Sequence, residues 1–420
     1  MKTIILFIVQ FINDFVYMYP LFMSFVWMFG AILFFIRRER TSKQVPKLKH
    51  YPLCSIIIPC HNEEYNIHKT ISWLATAQKY PDFEIVAVDD GSTDSTAEIL
   101  HTLSANYPNV RTVYLKENQG KGAALTAGTL VANGDIIVTI DADALLDQDA
   151  LSWIVWHFNE SSRVGAVTGN PRVLNRTTLL AKIQTGEYAT IIGLIKRSQR
   201  ILGKVLTVSG VIAAFRRQAL ESAGYWDTDM VTEDIAITWK LERKFWDVRY
   251  EPKAITWVFV PETIKGLWRQ RSRWAQGGME VLKRNVDIFS DWRQRRLWPV
   301  FIEYLFSALW AYTFWTLVFL WIIKATTGFE FGIALVPPIP PQWTGAILAL
   351  TCLVQFSVSA YIDQFYDKKL FKYLFWVIWY PFIYWTINAL TVVFATPKAL
   401  FKRKGIRAVW KSPDRGLGIR

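Results

Sequence analysis

The chain has 420 residues, 52% of them hydrophobic, with 20 Trp, 27 Phe and a net charge of +13. That is room for one large domain plus membrane segments. The basic excess comes without a recognition helix or nucleic-acid motif, which speaks against a nucleic-acid partner, and three scattered cysteines exclude a metal knuckle and a disulfide framework.

Residues 4–36 are almost uncharged, and Asp14–Ile36 alone can cross about 30 Å of hydrocarbon as a helix. The stretch is too long for a signal peptide, and no small-residue cleavage site follows it. Arg37, Arg38, Arg40 and Lys43 come next, so the positive-inside rule puts that end in the cytosol. After a linker at Lys47–Pro52, Ser55–Pro59 is a β-branched run ending in a turn signal, which predicts a buried parallel strand. Cys54 and Cys60 flank it as small apolar fillers, as in a reducing compartment. A helix is expected from Cys60 to about Gln78, a strand over Phe83–Asp90, and a helix capped by Ser92–Thr96 and running to about Ala105. Val110–Leu115 predicts a strand, Ala123–Ala132 a small-residue helix, and Ile136–Asp141 a fourth strand.

Strands alternating with helices predict an α/β domain on a right-handed parallel sheet, whose ligands bind beyond the carboxyl ends of the strands. Further strands are expected at Val164–Gly169, at Ser209–Phe215 and ending at Arg249–Pro252. Leu179–Leu202 reads as an amphipathic helix, and a helix begins at Thr232–Asp234. From Thr263 to Trp298, Trp268, Trp274, Trp292 and Trp298 alternate with Lys and Arg, a pattern suited to helices in a lipid headgroup layer.

Pro299–Ile323, Trp343–Ile362 and Phe371–Phe394 are three further apolar stretches of spanning length. The loop Ala325–Gln342 has no Lys or Arg and should lie outside, whereas Asp367–Lys369 and the basic tail from Lys398 should lie inside. Three single crossings cannot satisfy that pattern. Either Phe371–Phe394 is a hairpin broken near Pro381, or the tail sits outside against the rule. The resulting division is a membrane segment at 1–40, a catalytic domain at 50–262, interfacial helices at 263–298, a membrane region at 299–396 and a basic tail at 397–420.

The chemistry-bearing residues fall at predicted strand ends and helix starts. Asp141 and Asp143, one residue apart after a strand, are suited to holding one Mg²⁺ or Mn²⁺ through oxygen, with sites left for diphosphate oxygens. Asp90, after the second strand, either accepts hydrogen bonds from a nucleobase or ribose or simply forms the Asp-Gly-Ser turn. Asn62 and Glu63 line the same edge, unless they serve only to start a helix. Lys121, in a Gly-rich turn that lacks Walker A spacing, is placed to pair with phosphate or with the base. Asp234 is the candidate base, competing with an ordinary acidic helix start. Gln270, Arg273 and Trp274 share one helix face, with Trp as a platform for a sugar ring and Arg as a bidentate grip on diphosphate.

Taken together, Ser55-Ile-Ile-Ile-Pro-Cys, Asp89-Asp-Gly-Ser, Asn118-Gln-Gly-Lys, Asp141-Ala-Asp, Thr232-Glu-Asp and Gln270-Arg-Ser-Arg-Trp-Ala-Gln-Gly resemble the family 2 glycosyltransferases, the processive membrane synthases. A closer resemblance, to bacterial poly-β-1,6-N-acetylglucosamine synthases, rests on Val167–Arg172, Gly186–Tyr188, Ile192–Arg197, Val208–Arg216, Pro261–Thr263 and Ser412–Gly416. The resemblance implies a GT-A catalytic domain, with a Rossmann-like parallel or mixed sheet, inserted between transmembrane helices and facing the cytosol. It implies UDP-N-acetylglucosamine as donor, inverting transfer to a growing polysaccharide chain, and export through the same chain's helices across the inner membrane. Carried over, Pro59, Asn62, Glu63, Asp90, Lys121 and Asp141 would hold the UDP-sugar, and Asp141 and Asp143 the metal. Asp234 would deprotonate the acceptor 6-hydroxyl, and Gln270, Arg273 and Trp274 would cover the diphosphate and grip the acceptor. Membrane lipids and a small membrane partner with cyclic di-GMP control are implied as well. A sister synthase of hyaluronan, chitin or cellulose type, a lipid-phosphate sugar transferase, and a non-catalytic scaffold are the competing readings; the intact acidic set argues against the last.

Overall fold

The structure, a computed structural model of the chain, describes residues 2–40, 44–329, 343–380, 384–403 and 405–408. Lys43, most of the proline-rich loop, Pro381 and Ser412–Gly416 lie outside the described residues.

The chain opens with α1 (Lys2–Phe34), whose last turn widens into a π-helix over Phe35–Glu39. The catalytic half follows as β1 (Cys54–Cys60), α2 (Ile67–Ala77), β2 (Phe83–Asp90), α3 (Thr96–Asn106), β3 (Val110–Leu115), α4 (Lys121–Val131), β4 (Ile136–Ile140), β5 (Leu145–Leu146), α5 (Ala150–Glu160) and β6 (Val164–Val173). Next come α6 (Leu179–Glu187), a π-helical turn at Tyr188–Leu194, α7 (Ile195–Leu202), β7 (Ile212–Arg216), α8 (Arg217–Ala223), α9 (Glu233–Arg243) and β8 (Asp247–Val258). The chain ends with α10 (Ile264–Arg284), α11 (Trp298–Thr327), α12 (Trp343–Asp363), a 3-10 helix at Leu370–Trp379 and α13 (Trp385–Phe401).

The eight strands form one sheet in the order β3-β2-β1-β4-β7-β6-β8-β5. The first four are parallel, as their alternation with helices predicts. Beyond β4 the sheet becomes mixed, as a GT-A domain allows: β7 runs antiparallel to both β4 and β6. One consequence matters for function. Ile140, the last residue of β4, pairs with Ile212, the first of β7, so the turn before β7 reaches the edge where β4 delivers Asp141.

β8 also runs past Pro252, where the sequence predicts its end. Opposite it, Thr168 pairs with Tyr250 and Asn170 with Ile255, so the extra residues of β8 form a bulge. Proline is tolerated at a bulge because no ladder hydrogen bond is required of it, and the Pro252 carbonyl is taken by Asn170 Nδ2 at 2.7 Å. The helix after β1 starts later than its sequence suggests. Residues 61–66 are tied instead to the loop after β2, with Asn62 in a left-handed conformation (φ 56°) and its Oδ1 accepting from Thr93 N at 2.8 Å.

The sheet is covered on both faces. α2, α3 and α5 pack with Ile56, Ile58, Ile85 and Ile154 on one side, and α4, α8 and α9 with Ile57, Val86, Val88 and Phe215 on the other. Cys54 and Cys60 are fully buried in the first of these clusters.

Among the described residues three helices are long and apolar enough to cross a membrane: Gln10–Glu39, Trp298–Thr327 and Gly345–Asp363. Phe371–Phe394 is not a single span, because it divides between the 3-10 helix and α13. Both of its ends meet the catalytic domain. Just before it, Asp363 pairs with Arg172 at 2.9 Å and Asp367 with Arg176 at 2.5 Å; just after it, Lys402 donates to the Asp229 carbonyl at 2.6 Å.

The region 179–202 also differs from its amphipathic reading. Lys196 and Arg197 are buried, because α1 lies along α7 and α12 covers the π-turn; Arg197 pairs with Glu39 at 2.7 Å and with Asp363 at 2.9 Å.

Candidate active site

The predicted residues collect at one edge of the sheet in two linked groups. The first lies beyond β1 and β2. Pro59 is buried in β1 opposite Val88, which places the following loop against the end of β2. Asn62 N donates to Ser92 Oγ at 3.0 Å and Glu63 N to Thr96 Oγ1 at 2.7 Å, so both residues belong to a double loop of residues 61–66 and 92–96. Asp90 is fully buried. Its two carboxylate oxygens accept from Gln119 N and Gly120 N, each at 2.8 Å, which fixes the turn leading into α4. Burial raises the Asp90 carboxyl above its ordinary range despite those two amides.

That turn aims Lys121 into the second group. Lys121 Nζ lies 2.6 Å from Asp141 and 3.1 Å from Glu233, and donates to the Gly210 carbonyl at 3.3 Å. Burial would lower the ammonium, but Asp141 and Glu233 outweigh it and hold Lys121 firmly protonated. Asp234 stands beside them. Gly210 N donates to its Oδ2 at 3.1 Å and Ile235 N to its Oδ1 at 2.9 Å. A Cβ at position 210 would stand 3.1 Å from Asp234 Oδ2 and 3.4 Å from Lys121 Nζ, so a side chain there would nudge the Asp234 carboxylate. Burial and the charge of Glu233 push the Asp234 carboxyl up to about 6, against the pull of Lys121 and Arg273.

Asp141 and Asp143 complete the acidic set. Burial, opposed by Lys121 and reinforced by Asp143, raises the Asp141 carboxyl. Asp141, Glu233 and Asp234 thus face the fixed charge of Lys121, with Arg273 acting on the last two and Asp143 adding its charge beside Asp141. An oxygen-only donor set with surplus negative charge suits a hard divalent cation. Among the described residues no group of three or more His, Cys, Asp or Glu is placed to hold a metal ion, so an ion held by Asp141 and Asp143 would need ligand oxygens for the rest of its shell.

α10 closes the site. Gly277 packs so tightly on Thr232 that no side chain fits between them, which seats α10 against the Thr232–Asp234 turn. Arg273 is exposed, and its charge reaches Glu233 and Asp234. Trp274 packs against the sheet core, and the buried Gln270 Oε1 has no hydrogen-bond partner among the described residues.

Several residues here were not singled out by sequence. Glu233 is one, although its place between Thr232 and Asp234 put it in plain view. Arg271 is another: it is buried, donates to Glu187 at 2.6 Å and to the Tyr384 hydroxyl at 2.7 Å, and lies 4.1 Å over the Trp274 ring. Tyr188, which burial pushes up to about 12, feels Arg271 and Glu187 on one side and Asp143 and Asp141 on the other. It links the acidic edge to the α6–α10–α13 junction.

The comparisons agree with this geometry. The sequence model of the "Glycosyltransferase like family 2" matches residues 52–277. A poly-beta-1,6-N-acetyl-D-glucosamine synthase of Staphylococcus epidermidis is 39% identical over 413 residues, covering 96% of this chain and 98% of its own. One of Staphylococcus aureus strain COL is 42% identical over 416 residues, covering 97% and 99%. A mannosyltransferase of Pyrobaculum calidifontis, solved with GDP-Man and Mn²⁺, superposes with a TM-score of 0.62 at 20% identity, over 93% of this chain and 99% of its own. With its GT-A sheet, its acidic edge and these relatives, the chain belongs to the glycosyltransferase-like family 2 and is a glycosyltransferase.

Proposed function

We propose that the protein is a processive, inverting membrane synthase that adds N-acetylglucosamine from UDP-N-acetylglucosamine to a poly-β-1,6-N-acetylglucosamine chain. The observation that carries the proposal is the convergence of Asp141, Glu233 and Gly210 on Lys121, with Asp234 held by Gly210 beside them. The relatives named for this polymer, at about two-fifths identity across nearly the full length, support the choice of sugar and linkage.

In this reading Asn62, Glu63, Asp90 and the loop around Pro59 hold the uridine end, and Lys121 and Arg273 face the diphosphate. Asp141 and Asp143 would hold Mg²⁺ or Mn²⁺, which when bound neutralises the charge that develops on the leaving diphosphate. The acceptor 6-hydroxyl rests near Trp274 and Gln270, whose free buried Oε1 is suited to a sugar hydroxyl. That hydroxyl gives its proton to Asp234 as its oxygen bonds to the anomeric carbon from the face opposite the diphosphate. The anomeric C–O bond breaks, UDP departs, and the configuration inverts.

The proposal extends to the setting. Residues 1–40 and 299–396 sit in the inner membrane, 263–298 lie against its lipids, and 50–262 and the basic tail face the cytosol. The growing chain passes from Trp274 toward the membrane helices for export into a biofilm matrix. A small membrane partner with cyclic di-GMP control rests on the family resemblance. The test is to feed membranes radiolabelled UDP-N-acetylglucosamine and digest the product with a β-1,6-specific glycosidase. Labelled polymer that the glycosidase degrades is expected; polymer made only from another UDP-sugar, or resistant to the enzyme, rejects the reading.

A further inference from the structure

We infer that Lys196 is a positioning residue for the transfer step, holding from behind the Ser209–Gly210 turn that aims Asp234 and Lys121. The inference rests on the reading of Asp234 as the base.

Lys196 lies on α7, on the side of this turn away from the open edge of the sheet, and is buried. Its Nζ donates to Ser209 Oγ at 2.6 Å and to Thr168 Oγ1 at 3.2 Å, and Ser209 N donates to the same Thr168 Oγ1 at 2.8 Å. The ammonium therefore pins Ser209 to β6 through two hydroxyls. The next residue does the work at the site: Gly210 N bonds Asp234 Oδ2 at 3.1 Å, and its carbonyl accepts from Lys121 at 3.3 Å. One residue, through the two peptide groups that flank it, thus touches both the candidate base and the donor-side lysine, and Lys196 sets where that residue lies.

The surroundings of Lys196 are unusual for a buried cation. Among the described residues no carboxylate pairs with it. Its neighbours are the two hydroxyls, the Tyr250 ring of β8 at 5.9 Å, and the more distant charge of Asp234 on α9. Burial pulls the ammonium down to about 7, against the attraction of Asp234. A buried ammonium without a counter-ion is unfavourable. A methionine of similar length would fill the space without that penalty, so packing does not account for the lysine. Its charge and its two hydrogen bonds bear on the turn and, through it, on Asp234.

The experiment compares the full-length purified protein with Lys196→Met, Lys196→Arg, Ser209→Ala and Asp234→Asn. It measures kcat and KM with UDP-N-acetylglucosamine and Mn²⁺, UDP affinity by titration, and kcat against pH. Lys196→Met should lower kcat about 10- to 100-fold, the range expected for a displaced catalytic group. UDP affinity should stay within about twofold, and the acid limb of the kcat profile should move to higher pH because Asp234 loses a nearby cation. Lys196→Arg should keep the limb in place and restore part of kcat. If Lys196→Met does not fold, Ser209→Ala must still lower kcat with UDP affinity kept. Wild-type kcat in Ser209→Ala, or kcat and UDP affinity falling together in Lys196→Met with an unmoved acid limb, overturns the positioning role. Turnover retained in Asp234→Asn overturns the base reading and this inference with it. An inactive Asp234→Asn beside a wild-type-like Lys196→Met overturns the Lys196 inference alone.

Discussion

Asp234→Asn separates a base from an ordinary acidic helix start. The substitution keeps the shape of the side chain and removes its charge. Two opposed effects on stability follow from the structure. The Asp234 carboxyl stands at about 6 rather than 3.8, which corresponds to about 3 kcal/mol of folding free energy withheld by the ionised group above pH 6. A raised folded-state value means the protonated form is favoured: its contribution is fully present below 3.8 and lost as pH rises through 6. At pH 8 the asparagine therefore relieves up to about 3 kcal/mol, and less where solvent screens the group. Against this, Gly210 N and Ile235 N each donate to a different carboxylate oxygen, and an amide offers only one oxygen. One amide loses its acceptor, at a cost of about 1–3 kcal/mol. The net change should lie within about 2 kcal/mol of zero, so the protein remains folded. Transfer, in contrast, should fall about 10²- to 10⁴-fold, the usual contribution of a positioned base. Thermal unfolding in detergent, UDP titration and labelled-sugar transfer measure the three quantities. A loss of UDP binding as large as the loss of transfer would show that Asp234 holds the donor and does not take the acceptor proton.

Other expectations follow from the same site. The wild-type kcat should decline tenfold per unit on the acid side of about 6, because the base must be ionised; a limb near 4 would refute the raised Asp234 carboxyl. Asp143→Asn should abolish the gain in UDP affinity that Mn²⁺ gives and reduce turnover by at least about 100-fold; equal affinity with and without the ion in the wild type would remove the metal from the scheme. Arg271→Met leaves Glu187 buried without its cation and should lower stability by about 3–5 kcal/mol, read as a fall in Tm; an unchanged Tm would mean the pair does not tie α6 to α10. Gly277→Val forces α10 off Thr232 and should reduce transfer more than UDP binding, which a titration beside an activity assay would check.

The elements legible in the sequence are those whose surroundings are local. β2 and β3 occupy the predicted residues because short apolar runs bounded by turn residues carry their own limits. Asp141 was placed correctly for the same reason: β4 ends one residue before it. Features imposed by distant chain were not legible. Nothing near Lys196 and Arg197 announces that α1 and α12 will cover them, so a fully packed helix looked amphipathic. The reversal of β7 depends on which strand it joins, and the continuation of β8 through Pro252 depends on the bulge opposite Gly169. Arg271 was hidden by its neighbours: in a run of alternating Arg and Trp, local spacing does not tell the residue that faces Glu187 from the one that faces solvent.

A cluster of buried charges joins α1 and α12 to the sheet. Arg197 joins Glu39, at the end of α1, to Asp363, at the end of α12, and Arg172 of β6 reaches the same Asp363. Tyr366 closes the cluster by donating to Glu39 at 2.6 Å. Removing any one of its four charged members leaves an uncompensated buried charge, which costs about 3–5 kcal/mol. Its arginines stand on α7 and β6, and Lys196 and Thr168 stand on the same two elements, directly behind the Ser209–Gly210 turn. A shift of α1 or α12 relative to the sheet would therefore be felt at Asp234 through a short chain of bonded groups. The contacts that tie α1 and α12 to the sheet and those that hold Gly210 beside Asp234 start from neighbouring residues of α7, Arg197 and Lys196.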